Sequence, residues 1–280
     1  MDEWIIDFAD MDEDQAVLFE APFEYILKYI KPERENNAEK GTRERYWLFK
    51  RSGADMKKAI TGLQRYIATP EVSKHRIFVW LPASMAPDKN IVVIARDDEA
   101  TFGVLHSRFH ELWALRMGTS LEDRPRYTSI TTFRTFPFPE DILAAHEPDT
   151  LFPKIAEAAK RLTKLRENWL NPDKWVTWEQ TEEEAEAGFP KRPVAKPGHE
   201  AEVKKLTLTN LYNNPPTWLK NAHQTLDKAV AAAYGWTDYT PAWTDEEILR
   251  RLLALNLERA KAATLSESAP EVAALNDNME

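Results

Sequence analysis

The segment Leu121-Glu122-Asp123-Arg124-Pro125-Arg126-Tyr127 places charged groups at alternating positions. Glu122, Arg124 and Arg126 stand at i, i+2 and i+4, so an extended backbone turns all three to one side. Pro125 favours the extended state for Arg124. A carboxylate beside two guanidiniums on one face matches base-pair edges in the major groove. Arg donates two hydrogen bonds to guanine, and Glu accepts from the cytosine amino group. The same pattern also fits a ladder of surface ion pairs, which contributes little to stability. Lys74, His75 and Arg76 precede a predicted strand, and Arg65 and Arg108 belong to neighbouring elements. Arg65, Lys74, Arg76 and Arg108 are therefore candidate phosphate contacts. Taken singly, each also reads as ordinary surface charge.

Other constellations fall short of a catalytic site. Asn214-Pro215-Pro216-Thr217 approximates the motif with which amino-group methyltransferases hold a flipped-out base. Thr217, however, stands where an aromatic ring must stack. A proline turn, with Thr217 capping the following helix, accounts for these residues better. Glu202 and Lys204 resemble half of a metal-dependent nuclease site, without a partnering Asp on an adjacent predicted strand. His106 and His110, four apart, suit a metal on one helix face. Ser107 stands where a zinc protease carries Glu, and no third ligand is evident, so they read as polar positions on a half-buried helix. The absence of Cys excludes disulfides, Cys-ligated zinc, iron–sulfur clusters and thiol catalysis. Eight Gly leave little material for phosphate-cradling loops. By its own residues the chain reads as a binding or structural module.

The elements that must position these groups follow from periodicity. Short strands are expected at 4–8 and 65–70, and central strands at 77–81 and 91–95, the last two joined through the Asp88–Asn90 turn. Helices are expected over 12–30 and over 103–117, the latter ending at Gly118. A polar loop carries Arg124 and Arg126 through 119–134. Pro137 and Pro139 then close the first domain, since neither could sit in a central strand. The second half reads as helices over 155–170 and 218–234, the latter capped by Gly235, and a further helix begun by the capping box Thr244-x-x-Glu247. Residues 179–187 read as an acidic helix or a solvated run, and 188–200 as a linker. The expected fold class is α+β. A mixed sheet-and-helix domain spans 1–140, a mostly helical domain spans 141–262, and 263–280 form a disordered tail.

With 280 residues, 43% hydrophobic and 30% charged, the chain suits two domains with real cores. No apolar run reaches the roughly 18–20 residues that cross a bilayer, so no membrane association is expected. The acidic N-terminus is no leader peptide, and the default location is cytoplasmic. Net charge is −9, unevenly spread. Residues 1–30 hold nine acids and one base, 31–136 hold nineteen bases and thirteen acids, and 137–280 hold seventeen bases and twenty-four acids. A basic middle between acidic flanks suits a cationic face, or a solvated surface with uneven charge.

The order WIIDF, EAPFEYI, RYIATPEVSKHRIFVWL, FGVLHSRFHELWALRMGTSLEDRPRYT and TFPFP resembles the target-recognition region of MmeI-like enzymes. These are single-chain restriction–modification enzymes and large adenine-specific DNA methyltransferases. LTLTNLYNNPPTWLKNAHQTLDKAVAAAYGW and EEILRRLLALNLERA are similar to that family's C-terminal helical region. The likeness runs from about Trp4 to about Ala260. It implies that Glu122, Arg124 and Arg126 read individual base pairs, with the Asp88–Asn90 turn a weaker contact. It also implies S-adenosylmethionine-dependent methylation of adenine, and often a nuclease, in parts that precede this region in the family. The methyl-donor loop, the catalytic Asn/Asp-Pro-Pro-aromatic motif and the nuclease are not in this sequence. The expectation is thus a DNA recognition module, a C-terminal fragment or specificity subunit, without methyltransferase or nuclease activity of its own. Its expected partners are double-stranded DNA and a methyltransferase domain or subunit that holds the S-adenosylmethionine. The alternative is a protein-interaction remnant that packs on such a partner without touching DNA. Trp4 and the acidic–aromatic segment 15–30 are candidates for that packing.

Overall fold

The computed structural model describes residues 5–50, 53–121, 124–186 and 188–276, with the backbone alone for Ala54, Leu121 and 263–276. The chain forms two compact units, Met1–Gly62 and Leu63–Glu280.

The first unit is built from short helices: α1 (Glu13–Val17), α2 (Glu20–Tyr25), a π-helical turn (Ile26–Ile30), α3 (Lys31–Arg34), α4 (Lys40–Glu44) and α5 (Ala54–Ile60). Asp12 and Gln15 exchange side-chain and backbone hydrogen bonds at the start of α1, satisfying two amides that the helix leaves open. The helix expected over 12–30 is interrupted at Leu18–Phe19, where Phe19 leaves helical geometry and turns its ring towards Phe8. Pro32 lies in the first turn of α3, where a missing N–H costs nothing. The strand expected at 4–8 does not form over the described residues 5–8, and Trp4 lies outside the described residues. No strand is present among the described residues of this unit to pair with it. Phe8 instead enters a small core with Ala16, Phe23, Ile26, Tyr46 and Leu48.

The second unit opens with an antiparallel sheet in the order β2-β1-β3, from β1 (Arg65–Pro70), β2 (Val79–Pro82) and β3 (Ile91–Ile94). Ile67 faces Trp80 on one side and Ile94 on the other. Tyr66 to Thr69 are all buried, so β1 is the central strand. The runs expected to be central, at 77–81 and 91–95, lie at the sheet's edges. Two helices follow, α6 (Glu99–Leu105) and α7 (Arg108–Met117), capped by the Asp98 and Ser107 side chains. The single helix expected over 103–117 therefore breaks at His106–Ser107. Ser107 adopts an extended backbone and offers its hydroxyl to the new helix start. The loop expected over 119–134 is also structured, as a hairpin of β4 (Thr119–Leu121) and β5 (Arg124–Arg126) and a π-helical turn at Ser129–Phe133.

The remaining elements are α8 (Pro148–Leu151), α9 (Pro153–Leu170), β6 (Val176–Glu179), α10 (Glu182–Glu186), β7 (Arg192–Ala195), α11 (Glu200–Val203), α12 (Leu208–Asn213), α13 (Thr217–Ala233) and α14 (Asp245–Asn276). β6 and β7 pair antiparallel, so part of the expected linker is strand. Thr217 is the first residue of α13 and makes no side-chain cap; Pro216 holds the cap position. Gly235 adopts a left-handed backbone (φ 73°), and the Trp236 amide reaches back to the Ala231 carbonyl at 2.9 Å to close α13. α14 passes Ala262, where the sequence places the start of a disordered tail.

Packing does not divide the chain near residue 140. Every residue of α6 is buried, and the core joins Phe102, Phe109, Phe136 and Phe138 to Ile155, Leu162, Leu226 and Leu252. Gly103 explains the close approach of α9 and α13: a Cβ there would lie 2.6 Å from Ile155 Cγ2 and 3.1 Å from Leu226 Cδ1. Pro137 and Pro139, expected to close the first domain, lie beside Phe136 and Phe138, which belong to the core shared by residues before and after them. The architecture is α+β, small antiparallel sheets among many helices. Among the described residues no helix is long and apolar enough to cross a membrane.

Candidate nucleic-acid interface

β5 carries the two arginines singled out by their spacing. Arg124 and Arg126 are exposed and Pro125 between them is half-buried, as alternation along a strand requires. Arg124 stands opposite Leu121 and Arg126 opposite Thr119. Glu122 lies outside the described residues. Gly118 lets this hairpin pack onto the end of α7, since a Cβ there would come within 2.6 Å of the Ala114 carbonyl and 2.7 Å of the Arg126 carbonyl. Both contacts are to backbone, which cannot swing aside.

The far side of β5 is held by the segment after β1. Glu71 accepts from Arg126 Nε at 2.6 Å and also pairs with Arg126 Nη2. The Tyr127 amide donates to the Glu71 carbonyl at 2.7 Å, and the Glu71 amide donates to the Asn90 carbonyl at 2.7 Å. The exposed Asp88–Asn90 turn is thereby tied to β5 through one residue. Within the turn, amide bonds from Asn90 hold the Asp88 carboxyl below its ordinary value.

Arg76 lies beneath this arrangement, only 8% exposed. Its guanidinium donates to Thr69 Oγ1 at 3.0 Å, to the Pro125 carbonyl at 3.1 Å, and to the carbonyls of Pro70 and Glu71. It also lies over the Tyr127 ring. Burial pulls its pKa down to about 10, against the opposing pull of Tyr127 and Glu111. The Arg76 donors thus face inward, onto the Thr69 hydroxyl and backbone carbonyls, a geometry that does not suit a phosphate contact.

The other candidate cations divide in the same way. Arg65 binds Glu99 at 2.8 Å and the Asp97 carbonyl at 3.2 Å, with its guanidinium 3.7 Å above the Trp80 ring. Arg108 begins α7 and reaches the Trp243 carbonyl at 2.9 Å and Asp245 at 2.5 Å, bridging to the start of α14. These two guanidiniums serve tertiary structure, because each has protein acceptors within reach of its donors. Lys74 stays exposed, its ammonium 2.7 Å from Asn213 Oδ1, and His75 meets the same oxygen at 2.9 Å. Of the four candidate phosphate contacts, Lys74 keeps a surface geometry suited to that role.

The histidine pair is fully buried and does not form a metal site; no acidic or histidine cluster suited to a metal occurs among the described residues. His106 Nε2 accepts from the Phe78 amide at 3.1 Å and Arg166 Nη1 at 2.8 Å, while His110 Nε2 meets the Tyr127 hydroxyl at 3.0 Å. Desolvation, with Arg166 or Arg76 nearby, pushes His106 well below its ordinary value and His110 down to about 3. Glu202 lies on the exposed helix α11 and Lys204 just after it, not on a strand. The glycines do not build a methyl-donor cradle either. Gly103 and Gly118 are closed against protein atoms, and no glycine-rich loop joins a strand to a long helix among the described residues. The described residues therefore do not fit a bound S-adenosylmethionine.

Glu71 is the residue that sequence reasoning missed. Its partner Arg126 is fifty-five positions away, and local spacing carries no signal for such a pair.

Residues 4–140 match the family model described as MmeI, target recognition domain. The fold is similar to that of a solved structure described as the Type IIL restriction-modification enzyme MmeI in complex with DNA, with a TM-score of 0.56 and 21% identity. That likeness covers 91% of this chain and 28% of the other, so this chain spans little more than a quarter of that protein's length. No curated protein matches the chain. β1 to β5, α6, α7 and the Arg76 network all lie within the matched residues, so the similarity to the MmeI target recognition domain rests on this part of the chain.

Proposed function

We propose that this chain is the sequence-reading module of a restriction–modification adenine-specific DNA methyltransferase, acting as a C-terminal fragment or specificity subunit. Its ligand is double-stranded DNA. The methyl transfer belongs to a methyltransferase domain or subunit that holds S-adenosylmethionine. One observation carries the proposal beyond the family match: Arg124 and Arg126 project from the exposed face of β5 while Arg76 clamps that strand from below. Guanidiniums on a rigid strand suit base edges, and Lys74 suits a phosphate. In function the chain divides at about residue 140, with 1–140 reading DNA and the helices of 141–262 supporting the part from Ile67 to Phe138 through their shared core.

The test is binding of the full chain to a randomised duplex pool, then salt titration on the selected sequence. Affinity should fall steeply as salt rises, because phosphate contacts release counterions. Arg124→Glu should change which base pair is preferred. A second reading, docking on a methyltransferase partner without DNA contact, is favoured by the apolar surface of the first unit, where Leu18 is 79% and Ile5 66% exposed. No duplex binding even at low salt would select that reading.

A further inference from the structure

We infer that the outward face of α14 is a self-association surface, on which a second copy of this chain docks antiparallel about a two-fold axis beside Leu253. The inference is independent of any DNA contact.

α14 carries two stripes. One faces the core. Ile248 and Leu252 are fully buried, Asn256 donates to the Thr135 carbonyl at 2.6 Å, and Arg259 donates to the Phe138 carbonyl at 2.7 Å. That row anchors the helix over about three turns and leaves another flank outside. On this flank Glu246, Arg250, Leu253, Leu257 and Lys261 recur at intervals of three and four, which sets them in one row. Leu253 is 51% and Leu257 53% exposed, with the exposed Ala254 and Ala260 beside them. The helix itself needs no leucine there, since Lys, Glu and Gln propagate a helix about as well and keep the surface polar. A single exposed leucine is ordinary. Two stacked one turn apart and flanked by alanines form a strip that a second helix can cover.

The charges decide which helix that is. The row begins with the acid Glu246 and ends with the base Lys261, both exposed, and neither has an ion-pair partner among the described residues. The two are roughly 22 Å apart along the helix axis. A parallel copy would set Glu246 against Glu246 and Lys261 against Lys261. An antiparallel copy, turned about an axis between 253 and 254, sets each Glu246 against the partner's Lys261. The same register brings the two Leu253 side chains together at the axis. It also lays each Leu257 on the aliphatic stem of the partner's Arg250. Arg250 is prepared for this: its guanidinium is held by Glu247 through two bonds of 2.9 Å, while its side chain stays 67% exposed. A contact of this kind uses the same patch on both copies, so it closes as a dimer and does not propagate. One pair of short helical faces is a small interface, so the dimer is weak and depends on concentration.

The experiment is sedimentation equilibrium of the full chain without DNA, at low salt, from about 1 to 500 μM. Wild type should show a reversible monomer–dimer equilibrium. Leu253→Glu and Leu257→Glu should each raise the dissociation constant by about a hundredfold, because two-fold symmetry counts each side chain twice. Their urea unfolding midpoints should stay unchanged, since both positions are exposed in the monomer. Glu246→Lys and Lys261→Glu should each raise it by about tenfold, less at high salt. An equimolar mixture of these two charge variants should recover the wild-type dissociation constant as a heterodimer, in which opposite charges meet at both ends. The double variant Glu246→Lys/Lys261→Glu should recover it by itself. A chain that stays monomeric at every concentration leaves the stripe to a different partner and overturns the inference. A dimer that neither leucine variant weakens is made elsewhere on the molecule and overturns it too. A dimer indifferent to the charge variants, or one that does not recover on mixing them, excludes the antiparallel register and overturns it likewise.

Discussion

Replacing Arg76 by Met tests whether the arginine is an internal clamp or a DNA contact. Met keeps the apolar stem and removes the guanidinium. Three strong acceptors lose their donor: Thr69 Oγ1, the Pro70 carbonyl and the Pro125 carbonyl. Hydrogen bonds to a charged donor contribute roughly 1.5–3 kcal/mol each, so their loss costs about 5–9 kcal/mol. Against that stands the cost of burying the cation. Its pKa falls from 12.5 to about 10, which corresponds to roughly 3 kcal/mol returned when the charge is removed. The net expectation is a loss of about 2–6 kcal/mol. Urea unfolding followed by tryptophan fluorescence should show it as a lower midpoint with an unchanged slope. In duplex binding under conditions where the variant is folded, the slope of log affinity against log salt should not change. A stability loss below about 1 kcal/mol, together with a salt slope reduced by about one, would refute the clamp and restore Arg76 as a phosphate contact.

Gly103→Ala should destabilise the second unit by roughly 1–3 kcal/mol although Ala is the better helix former, because the new methyl meets the stiff branched Ile155 side chain at 2.6 Å; a neutral or raised urea midpoint would contradict the three-helix contact. Lys74→Ala should reduce the salt slope of duplex binding by about one with discrimination and unfolding midpoint preserved, whereas Arg108→Ala should lower the midpoint instead, through loss of Asp245 and the Trp243 carbonyl. Burial holds His110 at about 3 and His223 at about 4 and pushes Asp227 up to about 7. The unfolded histidines bind protons below 6.5 while the folded ones do not, so their contribution is present above that pH and is lost as pH falls towards 4. Asp227 acts in the opposite sense, its contribution lost as pH rises through 7. Asp227→Asn keeps an acceptor for the Arg108 amide and should make the loss of stability between pH 6.5 and 4.5 steeper by about 1.4 kcal/mol per pH unit, measured by urea unfolding across that range; an unchanged pH slope would contradict a buried, proton-holding Asp227.

Periodicity reveals an element when that element's surroundings are uniform. α9 and α13 each bury one continuous stripe, and both are legible from residue spacing. α6 and α7 are not legible as two helices, because the apolar pattern continues across His106 and Ser107 while the break is made by a hydroxyl cap. The edge positions of β2 and β3 were hidden for a related reason: apolar runs report burial of side chains, not which strand has two neighbours. The alternation of Arg124 and Arg126 was readable because a strand's period is two and Pro125 enforces extension. The fates of Arg65, Arg76 and Arg108 were not, since a buried arginine and a surface one look alike until their acceptors come from distant segments. Those acceptors include backbone carbonyls, which leave no mark in the side-chain sequence.

The division between inward and outward cations carries a consequence for how specificity changes. β5 is three residues long and cannot hold its own shape. Its geometry comes from Arg76 against the Pro125 carbonyl, from the close approach at Gly118, from Tyr127 against His110 and from Glu71 along its edge. The Glu71 support is made by the Arg126 guanidinium itself, and the others by backbone and buried groups. Exchanging the side chain at 126 removes its half-exposed ion pair with Glu71, so such a change should shift stability by about 1 kcal/mol or less. Changes beneath the strand alter the platform itself. New base preferences should thus arise by substitution at the exposed positions of β5 rather than in the groups that hold the strand from beneath.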